Sequence, residues 1–337
     1  MQNPIDSILR AASRGNEPLN ILCCPTHERT ETNIARTSHN FYAVRTQQVK
    51  DWNTKYAPVP SNYQLLDPSR ADAQIPDHVK FDLVLSQNKF GQFQLLSQLA
   101  RNMGLPLISL EHTLPMKEWR GDQLAALKSM RGQLNLFISS YSRKEWGWGE
   151  QEAEVIHHGV DTEVFKPSDG EKKKQLLSVV NDWMNRDWCC GFSFWKKSTG
   201  GLPVRVVGET AGLSEPAPSV EALVNEYQDS QVFVNTSLVS PVPTALLEAM
   251  ACGCAVVSTN NCMIPEIITH EENGYLTNSE EEMKKICQTL LENPEECRRV
   301  GTNARKTIEE NFSLSRYIED WNKIFKKVAN RGVNYEG

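Results

Sequence analysis

Short, almost wholly apolar runs recur along the chain. Leu19–Cys24, Phe41–Arg45, Phe81–Ser86, Pro106–Leu110 and Leu134–Ser139 lie in its first half. Gln175–Val180, Val204–Val207, Gln231–Asn235 and Ala255–Thr259 lie in its second. They are too short for core helices, rich in Val, Ile and Phe, and bounded by turn residues, which predicts strands buried on both faces. Between them, helical periodicity marks Gly91–Asn102, Asp122–Arg131 and Val220–Tyr227. Three amphipathic helices close the chain over Ser279–Glu292, Cys297–Glu310 and Ser315–Val328. Strands alternating with helices predict parallel sheets of the α/β class. Asp51–Gln74, rich in Pro, Asn and Tyr, reads as an irregular surface loop over the first domain.

The stretch Gln231–Thr277 is the most informative. It predicts strand, loop, helix and strand in succession. Thr236–Pro243 is the loop, Thr244 is the expected N-cap, and the helix runs through Cys252 to Gly253. Leu246, Leu247 and Met250 share its apolar face. Glu248 sits near the start, where the helix dipole favours a carboxylate. In a parallel sheet the strand-to-helix loop lies at the carboxyl edge, where ligands bind. The residues alone leave open whether Glu248 is a ligand group or an ordinary surface glutamate.

Composition narrows the classes. A chain of 337 residues, 39% hydrophobic and 23% charged, suggests two domains with ordinary cores. No apolar run is long enough to span a bilayer, and the opening MQNPIDSILRAASRGNEP is too polar for a secretory signal. Net charge is −6, and neither half is basic enough for a nucleic-acid platform. Thr113–Trp148 is mildly basic, with six Lys/Arg against three Asp/Glu. The nine cysteines contain no C-x-x-C pair, so zinc lacks support and a reduced, cytoplasmic setting is expected.

LLEAMACGCAVVST, IPEII and NGYL, in that order, resemble the nucleotide-sugar segment of the group 1 (family 4) retaining glycosyltransferases. That resemblance implies the GT-B fold: two Rossmann-like α/β domains with parallel sheets facing a cleft. VIHHGVDTEVF resembles the family's exit from the first domain, giving an acceptor-side domain over 1–167 and a donor domain over 168–337. The final helix is expected to pack back on the first domain. The family pattern is Glu, seven residues, Glu. The second corresponds to Glu248, for the ribose hydroxyls; the first is replaced by Ser240. Pro241 and Pro243 lack N–H groups, so contacts from this loop fall to the amides of Val242, Thr244 and Ala245. The family's Arg and Lys, which meet the pyrophosphate, correspond to Asn181 and Arg186. Gly208 opens the loop that lies beside the base in relatives. Trp183, Trp188 and Trp195 either frame a ligand or form a core cluster.

In the first domain, the segment after the first strand has no Gly-Gly for the donor phosphate and offers Glu31, Thr32 and Asn33 instead. His112 ends the PLISL strand, where relatives carry a histidine near the reacting sugar; Glu111 and Thr113 flank it. On the residues alone His112 reads equally as a capped structural histidine. SSYSRK resembles the family's Ser-x-x-Ser turn. The resemblance implies metal-independent transfer of a hexosyl or pentosyl unit, with retention, from a UDP- or GDP-linked sugar and no bound cofactor. Acceptors in view are a glycan, a small molecule or a modified base in DNA. Loss of the first Glu keeps a non-catalytic nucleotide-sugar binder in view as well.

Overall fold

The computed structural model describes residues 17–45, 51–54, 56–87, 91–116, 118–119 and 121–330. The expectation of a signal-free N-terminus falls on residues 1–16, outside the described ones. The chain divides into two compact units. The first comprises 1–137, 148–154 and 318–337; the second comprises 138–147 and 155–317. Each is an α/β unit around its own parallel sheet.

In the first unit the strands are β1 (Asn20–Cys23), β2 (Asn40–Val44), β3 (Tyr63–Leu66), β4 (Leu83–Ser86), β5 (Leu107–Glu111) and β6 (Leu134–Phe137), with the short β7 (Glu154–Val155) at the edge. Their spatial order is β3-β2-β1-β4-β5-β6-β7. The pairs from β3 through β6 are all parallel. β4, β5 and their neighbours are buried on both faces, the reason their sequences read as continuous apolar runs. The helix Phe93–Met103 lays Phe93, Leu96 and Ala100 on this sheet and ends at Gly104, whose φ of 63° closes it. Chain order reverses beside β1, so β1 and β4 flank the topological switch point, where α/β sheets place ligands.

In the second unit the strands are β8 (Lys173–Val179), β9 (Val204–Val207), β10 (Ser230–Asn235), β11 (Ala255–Ser258) and β12 (Tyr275–Leu276). Their order is β12-β11-β10-β8-β9, all parallel. Here the switch point lies between β8 and β10. The helices Glu280–Glu292 and Pro294–Asn311 cover the sheet; Ser279 and Asn293 cap them by accepting from the third-position amides. Trp183 and Trp195 belong to this core, with ring centroids 4.6 Å apart. Trp188 is 64% exposed, so of the three tryptophans only this one is not core.

Several expectations need correction. Asp51–Gln74 is not wholly irregular: Tyr63–Leu66 is a strand paired to β2, and Tyr63 is buried. The segment after β1, to which the sequence assigned no element, carries a helix over Glu28–Ala35. NDWMNRDWCCGFSFW, also assigned no element, holds the short helix Asp187–Cys190 and the start of a second, Phe192–Thr199, split at Gly191. Thr244 is not an N-cap: Pro243 holds that position and Thr244 is the first helical residue. Among the described residues no helix is long and apolar enough to cross a membrane.

Candidate functional site

The second unit gathers its candidate residues at the β8/β10 switch point. After β8 comes Asn181, whose Oδ1 accepts from the Glu209 amide (2.9 Å) in the loop after β9. Arg186, five residues on, is exposed and donates from its guanidinium to the Asn181 carbonyl (3.4 Å). Gly208 takes φ 127°, and a Cβ there would lie 2.1 Å from the Val180 carbonyl oxygen. Asn181, Arg186 and Gly208 therefore form one cluster.

The loop after β10 is tied to the same region. The Leu238 and Val239 amides donate to the Cys189 carbonyl (2.8 and 3.1 Å), and Thr236 Oγ1 donates to the Cys190 carbonyl (3.0 Å). Gly191, with φ 66°, permits that approach, since a Cβ would sit 2.2 Å from the Thr236 carbonyl oxygen. Ser240 is half-buried and Val242 is buried in this loop. At the start of the helix Thr244–Ala251, the Leu246 and Leu247 amides turn back onto the Pro243 carbonyl (3.0 and 3.4 Å). The Thr244 and Ala245 amides precede that ladder, where a helix offers no carbonyl of its own. They are the amides an anion would meet.

Glu248 lies one turn into this helix and is only 5% exposed. Its Oε2 accepts from the Tyr227 hydroxyl at 2.9 Å. Tyr227 is wholly buried at the end of the helix Val220–Asp229. Glu248 is thus no ordinary surface glutamate but a buried carboxylate held by a phenol. Tyr227 lies 21 residues upstream, and no spacing rule links the two. The IPEII and Ser-x-x-Ser matches also meet: the Glu266 carboxylate accepts from the Ser140 and Tyr141 amides (3.1 and 2.6 Å). Ser139 and Ser142 cap that short helix reciprocally, so it is a helix start rather than a bare turn.

In the first unit His112 follows β5 at the carboxyl edge, as expected. Glu111 is buried; its Oε1 accepts from the Thr113 amide (2.8 Å) and hydroxyl (2.7 Å). The pair shapes the strand exit on which His112 sits. His112 Nε2 lies 3.4 Å from Gln87 Oε1, and Gln87 follows β4.

Glu31 corrects the sequence reading most sharply. It is wholly buried, not presented to a phosphate. Its carboxyl group accepts from the Thr26 amide (3.0 Å) and hydroxyl (2.6 Å), the Tyr63 hydroxyl (2.9 Å) and Gln87 Nε2 (2.8 and 3.0 Å). Burial outweighs these donors and raises its pKa from 4.5 to about 7. Cys24 is pushed up to about 12, and Cys23 and Tyr63 well above their usual values, each mainly by burial. Among these neighbours Glu31 is the group that titrates near neutrality.

The folded protein holds the Glu31 proton more tightly than the unfolded chain does. The resulting stability is complete below about pH 4.5 and is lost as pH rises through about 7. The shift corresponds to roughly 3 kcal/mol. Glu31→Gln has no such titration, so urea unfolding between pH 4.5 and 7 should show a flatter pH slope than the wild type.

Residues 217–307, which include Tyr227 and Glu248, match the family described as glycosyl transferases group 1. An uncharacterised glycosyltransferase of Methanocaldococcus jannaschii is 32% identical over 104 residues, covering 30% of this chain and 26% of that protein. An alpha-(1->4)-mannosyltransferase of Mycolicibacterium hassiacum is 23% identical over 301 residues, covering 74% of this chain and 72% of that one. The match to the first of these spans about a quarter of its length. Among solved structures, Anabaena HepE in complex with UDP superposes with a TM-score of 0.73 at 14% identity, covering 92% of this chain and 100% of that one. This likeness is one of fold.

Proposed function

We propose, from the premise that this chain belongs to the group 1 glycosyltransferases and has their GT-B fold, that it transfers a hexosyl or pentosyl unit from a nucleotide sugar to an acceptor hydroxyl. The observation that carries this reading is Glu248: a buried carboxylate, inside the matched segment, on the helix that starts beside the second sheet's switch point. Glu248 binds the ribose hydroxyls. The Thr244 and Ala245 amides, with Val242 and Ser240 in the same loop, meet the diphosphate and sugar. Arg186 adds a guanidinium fork to the leaving phosphate, and Asn181 and Gly208 shape the pocket edge toward the base.

The donor is a UDP-sugar. HepE has been solved with UDP and with UDP-glucose, which supports this choice. No bound metal or cofactor takes part, because Arg186 and the helix amides supply the positive field. His112 orients the reacting sugar or acceptor, with Glu111 and Thr113 fixing its strand exit. The acceptor attacks on the face the diphosphate leaves, and that phosphate takes the acceptor proton, so the anomeric configuration is retained. A reducing, cytoplasmic setting suits nine cysteines of which none is in a disulfide.

Thermal shift against UDP, GDP and ADP and their glucose conjugates tests the donor. A UDP ligand should raise Tm most, since binding to the native state stabilises it. No shift with any of them would end the reading. Donor turnover, including slow hydrolysis, separates an enzyme from a passive binder. A salt-dependent gel shift separates a DNA acceptor from a glycan or small molecule. The anomeric coupling constant of the product distinguishes retention from inversion.

A further inference from the structure

The first sheet's switch point holds a hydrogen-bonded chain of which the reading above uses only the last member, His112. It runs from Glu31 through Gln87 to His112, joining the helix after β1 to the ends of β4 and β5. Sequence separation between Glu31 and Gln87 is 56 residues; the strand order β1-β4-β5 makes them neighbours.

The chemistry of the chain is directional. A carboxylate only accepts, so the Gln87 amide must turn its NH2 toward Glu31. Both contacts of Gln87 Nε2 to the carboxylate agree with that (2.8 and 3.0 Å). Gln87 Oε1 is then the atom facing His112 Nε2, and a carbonyl oxygen only accepts. The ring nitrogen across from it must carry the proton. We infer that Glu31, acting through Gln87, is a positioning residue that fixes His112 as the Nε2–H tautomer and leaves Nδ1 as its hydrogen-bond-accepting atom.

Glu31 suits this task. Its other partners, Thr26 and Tyr63, are donors as well, so every contact orients the carboxylate as a pure acceptor. At pH 8 it is ionised even with its pKa raised to about 7. Burial shields the chain from water that would otherwise let the Gln87 amide turn over. The ring nitrogen that receives a hydrogen bond from a sugar or acceptor hydroxyl is thereby set in advance.

The inference rests on the proposed role of His112, and its test keeps the two apart. Nitrogen-15 NMR of the full chain labelled in histidine reads the protonated ring nitrogen of His112 at pH 8. His112→Gln assigns the signal. The wild type should show Nε2–H. In Glu31→Leu the Gln87 Nε2 loses its acceptor, the Gln87 amide is released from one orientation, and His112 should become a mixture of both tautomers. The kcat for transfer should fall by up to about tenfold, as for loss of one orienting hydrogen bond, while Kd for UDP stays within about twofold.

If Glu31→Leu does not fold, Gln87→Leu carries the test, and its His112 should likewise become a mixture of both tautomers. An Nδ1–H ring in the wild type overturns the inference. So does a tautomer unchanged in the variant that folds. The NMR result does not depend on catalysis. Conversely, transfer unaffected by His112→Ala would end the role of His112 and leave the tautomer measurement standing.

Discussion

Glu248→Ala should weaken UDP binding by about 10- to 100-fold and lower kcat/KM by at least as much. Calorimetry with UDP and a donor-turnover assay measure the two. The expected loss follows from removing a charge-assisted hydrogen bond, worth about 1.5–3 kcal/mol. Tyr227 sharpens the test. Its hydroxyl donates to Oε2 at 2.9 Å and holds the carboxylate in place. Tyr227→Phe keeps the carboxylate but releases it from that anchor, so it should weaken UDP binding less than Glu248→Ala does. Unchanged affinity in Glu248→Ala, in a protein that melts cooperatively, would remove Glu248 from the donor site.

Gly208→Ala should give the largest loss of stability. The residue's φ of 127° is a region L side chains avoid, and its Cβ would press on the Val180 carbonyl oxygen at 2.1 Å. The Val180 carbonyl is backbone at the end of β8, so it cannot rotate away. Strain and overpacking together amount to about 4 kcal/mol, or a Tm lower by about 10 °C. Relief by local backbone movement would displace Asn181, whose Oδ1 lies 3.0 Å from the same Cβ position. Donor affinity should therefore fall together with Tm. A variant that melts like the wild type would show that this loop is not constrained by the close approach.

The donor segment was the most legible part of the chain. Its strands are buried on both faces, and the helix after β10 starts within a residue of its expected place. The details that failed were those set by neighbours. Thr244 reads as an N-cap by type, but Pro243 already carries the extended backbone of that position, with φ −79° and ψ 96°. Tyr63–Leu66 sits among prolines and asparagines and lacks a strong local pattern; it becomes a strand because β2 offers it a free edge. The sequence left the roles of three tryptophans open; Trp183 and Trp195 are buried and Trp188 is outside, a division no composition rule supplies.

By itself the sequence determined the α/β class, most of the strands and the helix of Glu248. Apolar runs, helical periodicity and caps act over a few residues and are written where they act. Tertiary structure alone decided which side chains meet. Glu31 finds Gln87, and Glu248 finds Tyr227, because parallel sheets set non-consecutive strands and their helices side by side. Burial then turns those meetings into chemistry: a carboxylate with few local signals becomes a group that titrates near pH 7 only once water is gone.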